Sequence, residues 1–297
     1  TEIFFPADPR SLTLDASAQF EPLADGRLLV SAAAGGGRGV RVLDVNRQTL
    51  LERAYGGASE RSGERAFHAL EVTGGFIVIG QADGASSNAA RPGTLIAKLS
   101  ETGAVLWQRT LDDVVLPSYG QAPYQALASN GTDGFVVVAN YWPVSATADP
   151  DDIRLFSFDA TGALQRMSGT LKVSTTVAAL LGSTLHSYPT SLRRAADGTY
   201  FVAGHTSGGP YETNSDSWVS HVDALGAPLW SQYLFGDAAR VNSMRVLPDG
   251  GIVVAGVAGL FSRPAPWAAR LDSAGAITWS RTYAVRTADS MPVSRIA

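Results

Sequence analysis

Residues 97–111 read AKLSETGAVLWQRTL, and residues 269–283 read ARLDSAGAITWSRTY. Two near-copies so far apart mean that one structural unit is written more than once, and repetition of this kind outranks every other sequence signal. The phrase returns as WVSHVDALGAPLWSQYL from Trp218, as LFSFDATGALQRMSGTL from Leu155 and, faintly, as VRVLDVNRQTLLERAY from Val40. Aligned on the turn, the first position is Asp44, Ser100, Asp159, Asp223 or Asp272, and the residue three further on is Arg47, Gly103, Gly162, Gly226 or Gly275. A side-chain oxygen followed at the fourth position by Gly predicts a type I turn closing a short hairpin. Seven residues after the first turn position stand Leu51, Trp107, Arg166, Trp230 and Trp279. The three indoles at one register are expected to cover the core of the next unit.

A second echo lies upstream of each phrase: DGRLLVSA from 25, GGFIVIGQ from 74, DGFVVVAN from 133, DGTYFVAG from 197 and DGGIVVAG from 249. Each is a D-G or G-G turn leading into a β-branched apolar run, a hairpin signature. With one more strand before each turn, every unit holds four short strands, A to D. The units span approximately 17–56, 66–112, 124–170, 188–235 and 241–284. No helical periodicity competes with them. The expected fold is all-β, a single β-propeller over 1–297 with five four-stranded antiparallel blades, six being the alternative count.

The repeat resembles the degenerate propeller repeats of bacterial surface and secreted proteins, of the form DGGYIVAG…LD..G…W, over about residues 17–297. It also resembles the tryptophan-docking repeat of quinoprotein dehydrogenases: Ala97, Gly103 and Trp107 fit that spacing, as do Ala269, Gly275 and Trp279. The acidic residue sits one place later than in the quinoprotein pattern. The adjacent cysteine pair of those enzymes is impossible in a chain without cysteine. The first resemblance implies an exported bacterial protein, secreted or at the cell surface. It implies little about activity, because propellers carry many functions.

Composition narrows the classes. At 45% apolar and 17% charged residues the chain has a globular composition, and no apolar run is long enough to span a bilayer. A net charge of −4 without a cluster of Lys or Arg argues against nucleic acid. The lack of cysteine removes disulfides, thiolate metal sites and a cysteine nucleophile. The chain begins at Thr1, which fits a processed form. Residues 288–297 read like a further strand A, so the ends either close the ring, belong to a longer protein, or exchange strands with a neighbouring copy.

In an A-B-C-D sheet the A–B and C–D turns share one face of the disc, and the B–C and D–A connections share the other. The first set is short and repetitive. Nearly all length variation falls in the second, which predicts recognition there. The candidates on those loops are Tyr119, Tyr124, Tyr141, Trp142, Tyr211, Arg263 and His205, which opens a B–C loop. Exposed aromatics of this kind stack on sugars or anchor a protein partner. Asp149, Asp151 and Asp152 could supply oxygen ligands to Ca²⁺, although without EF-hand spacing; no other cofactor is expected. Histidine pairs with zinc spacing are absent. A glycoside hydrolase would need two or three carboxylates at the channel mouth, and no Asp or Glu recurs at the starts of the A strands. The expectation is therefore a non-catalytic binding or structural module for a glycan or protein partner. A propeller glycoside hydrolase or lyase, or an assembly subunit, is the alternative.

Overall fold

The computed structural model describes residues 19–23, 25–34, 37–55, 65–82, 93–111, 125–140, 153–171, 185–208, 217–235, 240–258 and 265–283. Within them every blade is built from four consecutive strands, and the five sheets are all antiparallel. Blade 1 comprises β1 (Gln19–Pro22), β2 (Leu28–Ala34), β3 (Gly37–Leu43) and β4 (Thr49–Tyr55). Blade 2 comprises β5 (Arg65–Val72), β6 (Gly75–Ala82), β7 (Gly93–Leu99) and β8 (Val105–Leu111). Blade 3 comprises β9 (Gln125–Ser129), β10 (Phe135–Asn140), β11 (Ile153–Phe158) and β12 (Leu164–Met167). Blade 4 comprises β13 (Leu185–Arg194), β14 (Tyr200–Gly208), β15 (Ser217–Val222) and β16 (Pro228–Phe235). Blade 5 comprises β17 (Arg240–Val246), β18 (Ile252–Ala258), β19 (Ala265–Leu271) and β20 (Ile277–Thr282). The A strands pack on one another from blade to blade, β1 on β5, β5 on β9, β9 on β13 and β13 on β17, so they line the axis. The structure is a five-bladed β-propeller.

The repeated turn behaves as its chemistry requires. In every C–D turn the fourth residue donates its N–H to the carbonyl of the first, at 2.9–3.0 Å. The aspartate then holds the turn from its side chain: Asp272 Oδ1 accepts the amides of Ala274 and Ala276, both at 2.9 Å. Gly103, Gly162, Gly226 and Gly275 all lie at positive φ, and Arg47 takes the same conformation at φ 68°. The left-handed residue displaces the pairing register in each C–D hairpin, the bulge that follows a type I turn. Blade 3 departs from the expected A–B turn. Its left-handed glycine is Gly131 rather than Gly134 of the D-G pair, and Thr132 and Asn130 hold the turn together.

The B strands read as unbroken apolar runs because both of their faces are buried. In β6, Phe76 and Val78 face blade 1 alongside Leu29, Val40 and Val42, whereas Ile77 and Ile79 face blade 3 alongside Phe135, Val137 and Phe156. The same alternation joins blade 3 to blade 4 and blade 4 to blade 5. Burying one such side chain is worth about 1.5–3 kcal/mol, and no single sheet could do it. Among the described residues no apolar cluster joins blade 5 to blade 1; Leu28, Val30 and Leu43 form a cluster of their own with Phe20 of the same blade.

The expected role of the indole register holds at two seams. Trp107 of blade 2 lies over Gly162 in the turn of blade 3, so close that an added Cβ there would sit 2.5 Å from the ring. Trp230 of blade 4 lies over Gly275 of blade 5, and its Nε1–H donates to the Ser273 carbonyl at 3.1 Å. Trp279, on the last blade, is 36% exposed.

Candidate functional site

Tyr119, Tyr124, Tyr141, Trp142, Tyr211, Arg263, Asp149, Asp151, Asp152 and the closing segment 288–297 lie outside the described residues. Of the rim candidates the structure places His205, and its position differs from the expectation. Strand β14 continues past it to Gly208, so His205 does not open a loop. It pairs with Tyr188 on one side and Ser217 on the other, and it is buried with 1% exposure. Its ring meets that of Tyr188 at 5.4 Å between centroids. Burial, with Arg240 nearby adding to it, pushes its pKa down to about 3. Close by, Asn140 Nδ2 donates to the Ser187 carbonyl at 2.7 Å and ties the end of β10 to β13. His205 therefore lies within the packing beneath the rim, as a neutral imidazole.

His221 of β15 accepts or donates a 2.7 Å hydrogen bond with Thr199 Oγ1 and stacks on Phe201 at 4.2 Å. Among the described residues no three of His, Cys, Asp and Glu gather closely enough to hold a metal ion.

The axis of the disc carries chemistry that no repeat position announces. Arg193 of β13 donates to Glu21 Oε2 of β1 at 2.9 Å, linking two blades that are not neighbours in the ring. The same guanidinium donates to the Met244 carbonyl of β17 at 3.2 Å and to the Leu192 carbonyl at 3.1 Å. One side chain thus ties blades 4, 5 and 1 together across the channel. The pair lines a cavity of about 20 Å³ with Ser31, His68 and Leu127. That is room for about one water molecule and far too little for a sugar ring.

The five axial strands contain two carboxylates, Glu21 and Glu71. Glu71 accepts from Arg27 of blade 1 at 2.8 Å, so each of the two faces an arginine from another blade. A carboxylate on an A strand, where three of the five repeats have none, was the signal available in the sequence. Which arginine would meet it was not.

No protein-family profile matches the chain, and no curated protein does either. Solved structures match in fold. A PL25 polysaccharide lyase, an ulvan lyase bound to -[GlcA(1-4)Rha3S]-, aligns with 89% of this chain and 69% of its own at 13% identity and a TM-score of 0.51. A structure of Drosophila Plexin A in complex with Semaphorin 1b aligns with 87% of this chain and 52% of its own at 9% identity and a TM-score of 0.50. A GH43 endo-arabinanase from Bacillus licheniformis covers 89% and 96% respectively at 13% identity, with a TM-score of 0.47. At these identities the likeness is one of fold, and a fold by itself assigns no function.

Proposed function

We propose that this propeller is an exported binding module, without catalysis, that recognises a glycan or protein partner through the B–C and D–A loops on one face of the disc. One observation carries the reading against hydrolysis: each carboxylate on the axial strands, Glu21 and Glu71, is engaged by an arginine from another blade. Acid–base cleavage of a glycoside uses two carboxyl groups about 5–10 Å apart with a sugar between them, whereas Glu21 is arginine-bound beside a cavity of about 20 Å³ and Glu71 is bound by Arg27. The second reading, a propeller glycoside hydrolase or lyase, draws on the fold shared with the PL25 lyase and would place its reacting groups on the loops instead.

A glycan array on the isolated protein, with and without Ca²⁺, tests the first reading. It should be paired with an assay for new reducing ends and unsaturated sugars on the polysaccharides that bind. Saturable binding without product supports the module, and the Trp142→Ala variant should weaken it at least tenfold. Product formation with turnover transfers the protein to the second reading.

A further inference from the structure

The turn face carries a pocket that arises where the repeat breaks its own rule. At the register where Trp107 and Trp230 cover the next blade, blade 3 has Arg166. Arg166 donates to the Ala224 carbonyl, the counterpart of the bond from Trp230 to Ser273 at the following seam. The guanidinium thus reproduces the cross-blade hydrogen bond of the indole without its bulk. Gly226, the turn glycine that an indole would cover, is met instead by the small side chain of Ser168. What remains between blades 3 and 4 is an open cleft of about 410 Å³. That is within the range of small-molecule sites.

Polar groups from both blades converge on this cleft. Its walls include Asn130, Ser157, Gln165, Arg166, Arg194 and Tyr200, with no carboxylate among the lining residues. Arg194 is set by the turn beside it: its guanidinium lies against Gly131, where a Cβ would come within 2.4 Å. Asp159, which reaches the lining residue Gln165, is committed to its own turn, where it accepts from Thr161, Ala163 and the Gln165 amide. Two guanidinium groups without a neutralising carboxylate, surrounded by amide and hydroxyl groups, are complementary to an oxyanion on a hydroxylated body. Guanidinium recognises carboxylate, sulfate and phosphate oxygens in paired hydrogen bonds. The chain as a whole is acidic, at −4, so bulk charge does not account for attraction at this point.

We infer that the cleft between blades 3 and 4 is a binding site for a small oxyanion-bearing, hydroxylated ligand such as an acidic sugar. Arg166 and Arg194 hold the anion, and Asn130, Gln165 and Ser157 meet the hydroxyls. The site is on the face opposite the variable loops and stands independently of the reading given to them.

Titration calorimetry at constant ionic strength tests it, with glucuronate, glucose and inorganic sulfate as probes. Glucuronate should bind saturably, and glucose at least tenfold more weakly. Competition by sulfate would identify the anion itself as the recognised group, whereas failure of sulfate to compete would assign recognition to the acidic sugar as a unit. Arg166→Trp should restore the indole, fill the cleft and abolish binding while the urea midpoint stays unchanged or rises. Arg194→Gln, which leaves the seam intact, should weaken glucuronate at least tenfold. Equal binding of glucose and glucuronate, no saturable binding of glucuronate, or undiminished binding by both variants would overturn the assignment.

Discussion

Gly74 and Gly162 offer a paired experiment on what joins the blades. Both sit in turns with nearly the same backbone, φ 74° and 75°. A Cβ added at Gly74 meets nothing within 4 Å, whereas at Gly162 it meets three ring atoms of Trp107 at 2.5, 2.8 and 2.9 Å. Alanine at either position carries the left-handed backbone cost, about 1–2 kcal/mol. At Gly162 the indole must also move off the turn and away from Phe135, whose ring lies 6.4 Å from it. Overpacking of that kind adds about 1–3 kcal/mol. Gly74→Ala should therefore cost about 1–2 kcal/mol and Gly162→Ala about 2–5 kcal/mol, read as urea midpoints by far-ultraviolet circular dichroism at a common slope. In a Trp107→Ala background the Gly162→Ala cost should fall back to the Gly74→Ala value, a coupling of about 1–3 kcal/mol. If the two glycine variants agree within about 0.5 kcal/mol, or if removing the indole leaves the Gly162→Ala cost unchanged, Trp107 does not clamp the next blade.

Four further outcomes are expected. His205 is buried with its pKa near 3, below the ordinary 6.5, so the unfolded chain takes up a proton more readily than the native one. Its contribution is complete above pH 6.5 and lost as the pH falls towards 3, on the order of 5 kcal/mol in total; His205→Asn should flatten the urea midpoint against pH between those limits. In the channel, Glu21→Gln should cost under about 1 kcal/mol because the ion pair is about a third exposed. Arg193→Met should cost about 1–3 kcal/mol because the Met244 and Leu192 carbonyls lose a donor as well. Arg47 occupies at φ 68° the position that the other four C–D turns give to glycine, so Arg47→Gly should raise stability by about 0.5–1 kcal/mol in thermal and urea unfolding.

The architecture was legible in the sequence because its causes are local and recur. An oxygen at Asp272 and a glycine at Gly275 make the same turn wherever they stand, since the hydrogen bonds involved reach no more than four residues. The apolar run at Phe76–Ile79 declares a strand buried on both faces without naming what buries it. His205 was misread as a loop residue because strand ends depend on how far the partner strand continues, and β14 continues to Gly208. The repeat could also show that Arg166 replaces an indole, but not that the replacement opens a cleft facing Arg194.

Sequence by itself thus determined the strands, the turns, the five-fold repetition and the faces on which short and long connections emerge. Tertiary structure alone decided which charges meet: Glu21 with Arg193 across the axis, Glu71 with Arg27 between blades, and Arg166 with Arg194 around an open cleft. The physical reason is range. Turn and strand preferences are set within a few residues of chain, whereas Glu21 and Arg193 stand 172 residues apart and meet only because five sheets close around an axis.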